Sequence, residues 1–77
     1  MELFILTETY LSYADADVGS ITTLFKTMAA CKAEMQSWVD FALKEGAKVW
    51  LNEDGNHTTY YEGANTKWVY ECHKEQL

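Results

Sequence analysis

Arginine is absent from this 77-residue chain, and all six of its basic residues are lysines that stand singly among twelve Asp and Glu residues. Affinity for DNA or RNA depends on neutralising phosphates with clustered Lys and Arg, so this distribution argues against direct nucleic-acid binding. The formal net charge of −6 favours a basic protein partner. A net charge of this size is also ordinary for the solubility of a small domain.

Long apolar runs are missing as well. Residues 1–6 include the acidic Glu2 and no basic region, which is unlike a signal peptide. No segment approaches the roughly 20 apolar residues of a membrane helix, and the acidic balance is repelled by anionic membrane surfaces. We therefore expect a cytoplasmic protein that does not bind membranes, in which Cys31 and Cys72 are reduced thiols.

Proline, internal repeats and low-complexity segments are absent too, so nothing in the chain marks a linker between domains. A typical domain has roughly 100 to 200 residues, which leaves no room here for a second folded unit. The 48% of hydrophobic residues, with three Trp, five Tyr and three Phe, can close one core. The sequence predicts a single domain over residues 1–77.

The first half of the chain predicts two strands and a helix. The apolar start of residues 3–9 predicts a central strand covered on both faces. After a polar, loosely built hairpin at 12–17, residues 21–25 predict a second, antiparallel strand. Thr27 is a candidate N-cap for a helix that ends at Gly46. Its apolar stripe, which should face the sheet, is Met28, Cys31, Met35, Trp38, Val39, Ala42 and Leu43.

The second half predicts a meander of three strands. Residues 47–52 alternate in polarity, which points Trp50 away from the helix. Asp54-Gly55 is a strong hairpin signal before strands at 57–62 and 67–73. In the last strand Trp68, Tyr70 and Cys72 should share one face. The predicted fold is α+β, with one amphipathic helix packed on a small antiparallel sheet in the order ββαβββ.

Motifs for catalysis or metal binding are not apparent. The two cysteines, His57 and His73 lack the paired spacings of zinc sites, and both histidines are expected on exposed strand positions. Residues 15–20 begin like an EF-hand loop but lack its glycine and terminal Glu. Cys72, His57 and Glu71 could form a nucleophilic trio, yet a domain this small has little room for a concave pocket. We expect no metal, no cofactor and no enzymatic activity.

Aromatic residues are the strongest functional signal. If the helix covers one sheet face, the opposite face should carry Trp50 and some of Tyr60, Tyr61, Trp68 and Tyr70. Exposed Tyr and Trp within a polar rim are typical of protein interfaces, although cross-strand aromatic pairs also simply stabilise sheets. The predicted partner-binding residues are Trp50, Glu53, Asp54, Tyr61, Glu62 and Glu71.

The layout of a strand at 3–9, a second strand ending in Leu24-Phe25 and a helix opening at Thr27 resembles many small uncharacterised phage and bacterial proteins. In size, acidity and build the chain also resembles small phage-encoded inhibitors of host defence proteins, anti-CRISPR proteins among them. The resemblance implies a non-enzymatic binding module that occludes a basic, nucleic-acid-binding protein surface. The alternatives are a homodimer built on the aromatic face or a sheet edge, and a small enzyme or ligand carrier with a pocket near His57 or His73.

Overall fold

The computed structural model describes residues 1–76, which form five antiparallel strands and one helix in the predicted order ββαβββ. The α+β fold class predicted from the sequence is confirmed. The elements are β1 (Glu2–Ser12), β2 (Asp17–Phe25), α1 (Met28–Lys44), β3 (Lys48–Leu51), β4 (His57–Tyr61) and β5 (Thr66–Gln76).

Strand β1 is interior, because the sheet order is β2-β1-β5-β4-β3. It pairs over its whole length with β5, from Glu2 opposite Gln76 to Ser12 opposite Thr66. The predicted cover on both faces is wrong: Leu6 is buried beneath α1, whereas no element described in residues 1–76 lies over the other face. The apolar side chains of β1 on that other face are half-buried, because they pack against side chains of the two neighbouring strands.

The β1–β2 hairpin is tighter than predicted, since β2 begins at Asp17 and the connection is residues 13–16. Ala16 takes a positive φ of 53° in this turn. The Ser12 hydroxyl donates to Asp15 Oδ2 at 3.2 Å and accepts from the Asp15 N–H at 3.4 Å. Local side-chain bonds of this kind stabilise turns, so the polar residues that suggested a loose loop instead close a short one.

The helix begins and ends as its sequence predicts. The Thr27 side chain accepts a hydrogen bond from the Ala30 N–H at 3.1 Å, which is N-cap geometry. At the other end, Gly46 adopts φ +80°. Its N–H donates to the Leu43 carbonyl while the Ala47 N–H donates to the Ala42 carbonyl, which is the Schellman pattern.

The meander also follows the sequence. Gly55 has φ +80° in the β3–β4 turn, and Asn65 has φ 51° in the β4–β5 turn, conformations that Gly and Asn tolerate best. β5 runs to Gln76, beyond the predicted end at His73, because β1 supplies a pairing partner for each added residue.

The two cysteines do not stay apart: Cys31 of α1 and Cys72 of β5 form a disulfide, with their Cα atoms 6.1 Å apart. The expectation of reduced thiols is therefore wrong. That expectation came from an assumed cytoplasmic location, which stays a prediction. The register of β5 places Cys72 on the helix side of the sheet, where the inward-facing Cys31 meets it.

The helix covers only part of the sheet. An α-helix of 17 residues is about 26 Å long and about 10 Å wide with its side chains. The 11-residue strands β1 and β5 span roughly 37 Å each, and five strands are about 19 Å across. The core cluster of Leu6, Cys31, Met35, Tyr70 and Cys72 lies between the helix and the sheet. One end of the same sheet face remains uncovered.

Candidate functional site: an aromatic cleft on the helix side

The strand register assigns each side chain to one of two sheet faces, since neighbours across strands share a face. Residues of the core such as Leu6 and Tyr70 define the helix side. Tyr70 stands opposite Glu8 on one neighbouring strand and His57 on the other. The other side is the open face, to which Trp50 and Glu71 belong by alternation.

A cleft of about 330 Å³ lies on the helix side, where the sheet extends past α1. Its walls from the helix are Trp38 and Phe41, whose rings meet edge to face with centroids 6.1 Å apart. Both belong to exposed positions of α1, with 44% and 47% of their surfaces accessible. The other lining residues are Glu8, Ile21, Tyr61, Ala64, Thr66, Trp68 and Tyr70.

The floor of the cleft is built from cross-strand pairs. Glu8 lies between Ile21 on β2 and Tyr70 on β5. One pair further along, Trp68 lies opposite Tyr10, and their ring centroids are 5.1 Å apart. The rings of Trp68 and Tyr70 are nearly parallel, with an interplanar angle of 13°. The floor is therefore an aromatic platform, formed by the parallel rings of Trp68 and Tyr70, with one carboxylate beside it.

Gly19 is what allows Tyr10 to support this platform. Gly19 lies opposite Tyr10 across β1 and β2, and a Cβ added there would overlap the Tyr10 ring. The ring thus lies against the bare backbone of β2 and contacts Trp68 on its other side. Its hydroxyl donates to Asp17 Oδ2 at 2.8 Å, which fixes its outer end.

Glu8 is the unusual member of the cleft. Only 7% of its surface is exposed. Among the described residues its carboxylate has neither a hydrogen-bond donor nor a salt-bridge partner. Burial, and secondarily the charge of Glu34 on α1, raises the pKa of Glu8 above its ordinary value of 4.5. The carboxylate oxygens themselves are accessible from the cleft, so a ligand can reach them.

The other charges that act on the cleft are also negative. Burial raises the pKa of Tyr70 to about 12; interaction with the Thr59 hydroxyl opposes this, whereas Tyr61 and Glu8 add to it. Burial and the charge of Glu45 raise the pKa of Tyr61. No lysine is among the residues that line the cleft. A cation would therefore be attracted here, and an anion would be repelled.

The open face differs in charge. Trp50 is 49% exposed and borders a more open depression of about 610 Å³, together with Tyr13, Tyr60 and Lys67. Lys48 lies beside it on β3 and pairs with Glu62 at 3.9 Å, with both side chains exposed. Two lysines thus accompany the aromatic residues on this part of the face.

The predicted partner-binding residues are dispersed over the molecule. Trp50 and Glu71 lie on the open face, whereas Tyr61 lies in the cleft. Glu53 and Asp54 are exposed in the β3–β4 turn, at the end of the sheet where Lys32 Nζ donates to the Gly55 carbonyl at 3.3 Å. Glu62 belongs to the β4–β5 turn at the opposite end.

Placing Trp68 and Tyr70 among the candidates for the open face is wrong, since both pack on the helix side. His57 is half-buried on that side rather than exposed, and its Nδ1 atom is buried without a hydrogen-bond partner in residues 1–76. His73 is exposed as predicted. In the same part of the chain no three His, Cys, Asp or Glu residues are grouped so that they could hold a metal ion.

Comparison with protein-family models, curated proteins and solved structures gives no match for this chain. Over residues 1–76, no helix has the length and apolar character needed to cross a lipid bilayer.

Sequence reasoning missed the cleft and its carboxylate. The expectation that the domain has little room for a concavity is wrong, because a single helix leaves part of the sheet uncovered. One signal was present: Glu8 is an acidic residue in the middle of a strand, and its same-face neighbours are Leu6 and Tyr10. A carboxylate at an inward position of a strand indicates either a paired charge or a ligand site.

Proposed function

We propose that this chain is a non-enzymatic binding protein that engages a basic protein partner through the aromatic cleft. The observation that carries the proposal is the carboxylate of Glu8, which lines the aromatic floor of the cleft and has no hydrogen-bond donor or salt-bridge partner among residues 1–76. Aromatic side chains around a desolvated pocket are typical of interface hot spots. The exposed rings of Trp38 and Phe41 provide the apolar contact that such a hot spot requires.

The net charge of −6 supports a basic partner. Complementary charge raises the association rate and disfavours acidic competitors. A partner that uses its basic surface to bind nucleic acid would be blocked by this chain, as expected for an inhibitor. The open face is the less favourable docking surface for such a partner, because Lys48 and Lys67 accompany Trp50 there.

The proposal is tested by affinity capture from a host lysate, followed by titration of the purified partner. We expect affinity to fall with added salt, since exposed charges are screened over about 8 to 10 Å near physiological ionic strength. The Trp38→Ala/Phe41→Ala double variant should weaken binding at least about tenfold, as hot-spot truncations do. Trp50→Ala, on the open face, is the matched control and should bind normally. Salt-independent binding, or binding that depends on Trp50 alone, contradicts the proposal.

A homodimer is the second candidate, and the edge strand β2 favours it. This strand has nine residues with one charge, at Asp17, and no proline. Val18 and Leu24 are 64% and 59% exposed on its open-face side. A long edge strand with few charges is a template for pairing with a second chain.

Analytical ultracentrifugation over a range of protein concentrations distinguishes the two candidates. A dimer formed through β2 should dissociate when Val18 and Leu24 are both replaced by Lys, because edge lysines block strand pairing. These two replacements do not touch the cleft. A mass that stays monomeric at every concentration rules out the dimer.

A further inference from the structure

We infer that the aromatic cleft is an arginine-binding site: one arginine side chain of the basic partner inserts between the aromatic rings, and Glu8 is its counter-ion. This inference rests on the proposed function and names the chemical group that the cleft recognises. Its basis is the arrangement of Glu8, the platform of Trp68 and Tyr70, and the walls formed by Trp38 and Phe41.

The position of Glu8 is the first argument. Only 7% of the residue is exposed, but its carboxylate oxygens can be reached from the cleft and have no donor among residues 1–76. A bound cation supplies this carboxylate with an opposite charge and with hydrogen-bond donors.

The shape of the floor is the second argument. The rings of Trp68 and Tyr70 are 6.2 Å apart between centroids and nearly parallel. A guanidinium group is planar, stacks on aromatic faces and forms paired hydrogen bonds with a carboxylate. Cation–π contacts are most favourable over Trp and more often involve Arg than Lys. A guanidinium group that stacks on the platform and faces Glu8 would make both the aromatic contact and the paired hydrogen bonds.

The charge around the cleft is the third argument. Glu34 lies close enough to Glu8 to raise its pKa, and Glu45 has the same effect on Tyr61. The lining includes no lysine that would compete for Glu8. The cleft volume of about 330 Å³ falls near the lower end of the ~300 to 1,000 Å³ of ligand sites, which suits one side chain.

The probe for the test is N-acetyl-arginine amide, with N-acetyl-citrulline amide as the neutral isostere and N-acetyl-lysine amide as the alternative cation. Binding is followed by NMR through the indole N–H signals of the three tryptophans. We expect the arginine probe to shift the signals of Trp38 and Trp68 but not that of Trp50, which lies on the open face. The citrulline probe should bind at least about tenfold more weakly, because it lacks the charge that Glu8 attracts.

Glu8→Gln is the decisive variant, since it keeps the side-chain shape and removes the charge. It should weaken arginine binding at least about tenfold, and Phe41→Ala should also weaken it through lost stacking. Glu71→Gln is the matched control on the exposed open face and should bind like the unmodified chain. Phe41 is 47% exposed, so we expect Phe41→Ala to fold even if Glu8→Gln were to disturb the core.

Three results overturn the inference: equal binding of arginine and citrulline probes, unchanged binding by Glu8→Gln, or equal or tighter binding of the lysine probe. The outcome is separable from that of the proposed function. Arginine binding without any basic protein partner would contradict the proposed function alone. A basic partner that requires Trp38 and Phe41 while the arginine probe fails to bind would contradict only the arginine assignment.

Discussion

The two ends of the helix-side sheet face differ in what they bury. Where α1 covers the sheet, Leu6 of β1 and Met35 of α1 are almost fully enclosed, and the Cys31–Cys72 disulfide joins helix to sheet. Past the helix, the same face presents Trp68, Ile21 and the acidic Glu8 to a cleft. The covered end has the composition of a core and the uncovered end that of a binding site. Stability and recognition are therefore expected to respond to different substitutions.

The largest expected effect is the loss of stability when the disulfide of the covered end is removed. The cross-link joins residues 41 positions apart in sequence. Loop-closure entropy for a loop of that size predicts a loss of about 4 kcal/mol on replacing both cysteines with Ala. Urea unfolding of the double variant measures it. A loss below about 1 kcal/mol would mean that the covered end is not the main source of stability.

The next effect compares one residue from each end. Leu6→Ala should cost about 3 kcal/mol, because it opens a cavity in the core. Phe41→Ala should cost less than about 1 kcal/mol, since the ring is 47% exposed in the folded state. Both values come from denaturant midpoints under the same conditions. Equal losses would show that the cleft walls are part of the structural core.

The smallest effect is the pH dependence contributed by Glu8. Its pKa is raised in the folded state, so the folded state binds more protons than the unfolded state at pH values just above 4.5. Stability should therefore fall as pH rises above 4.5 and level off once Glu8 is ionised in the folded protein. The titratable group that raises the pKa of Glu8 is Glu34 from α1. Tyr70 from β5, whose pKa is raised to about 12, is neutral in this pH range, and β2 presents the apolar Ile21.

Glu8→Gln should remove this loss and make the variant more stable than the unmodified chain at neutral pH, with little difference below pH 4.5. Denaturant titrations across that range measure the effect, and Glu71→Gln serves as the exposed control. A Glu8→Gln variant that is less stable at neutral pH would show that the carboxylate has a stabilising partner. That result would also remove the reason for assigning Glu8 as a counter-ion.

Local sequence signals predicted most of the fold. Thr27, Gly46 and Gly55 stand where the helix and a hairpin begin or end, because caps and turns depend on the conformational preferences of single residues. The alternation in β5 correctly placed Trp68 and Tyr70 on one face together with Cys72. It could not tell which face the helix covers, since alternation shows which side chains share a face but not which face is buried.

The candidate site was less accessible to sequence reasoning. Trp38 was assigned to the apolar stripe of the helix, yet it is 44% exposed and forms a wall of the cleft. Tyr61 was predicted as a binding residue and does line the cleft, but on the helix side and not beside Trp50. Its position depends on the pairing of β4 with β5.

By itself the sequence determined the element order, the helix caps, the turns and the acidic charge, because each depends on residues close in the chain or on composition alone. Tertiary structure alone decided that Cys31 meets Cys72, that Glu8 lines a cleft without a partner among residues 1–76, and that aromatic residues of α1, β4 and β5 line the same cleft. These features depend on strand register and on how much of the sheet one helix can cover. Both are set by long-range packing, which no local pattern specifies.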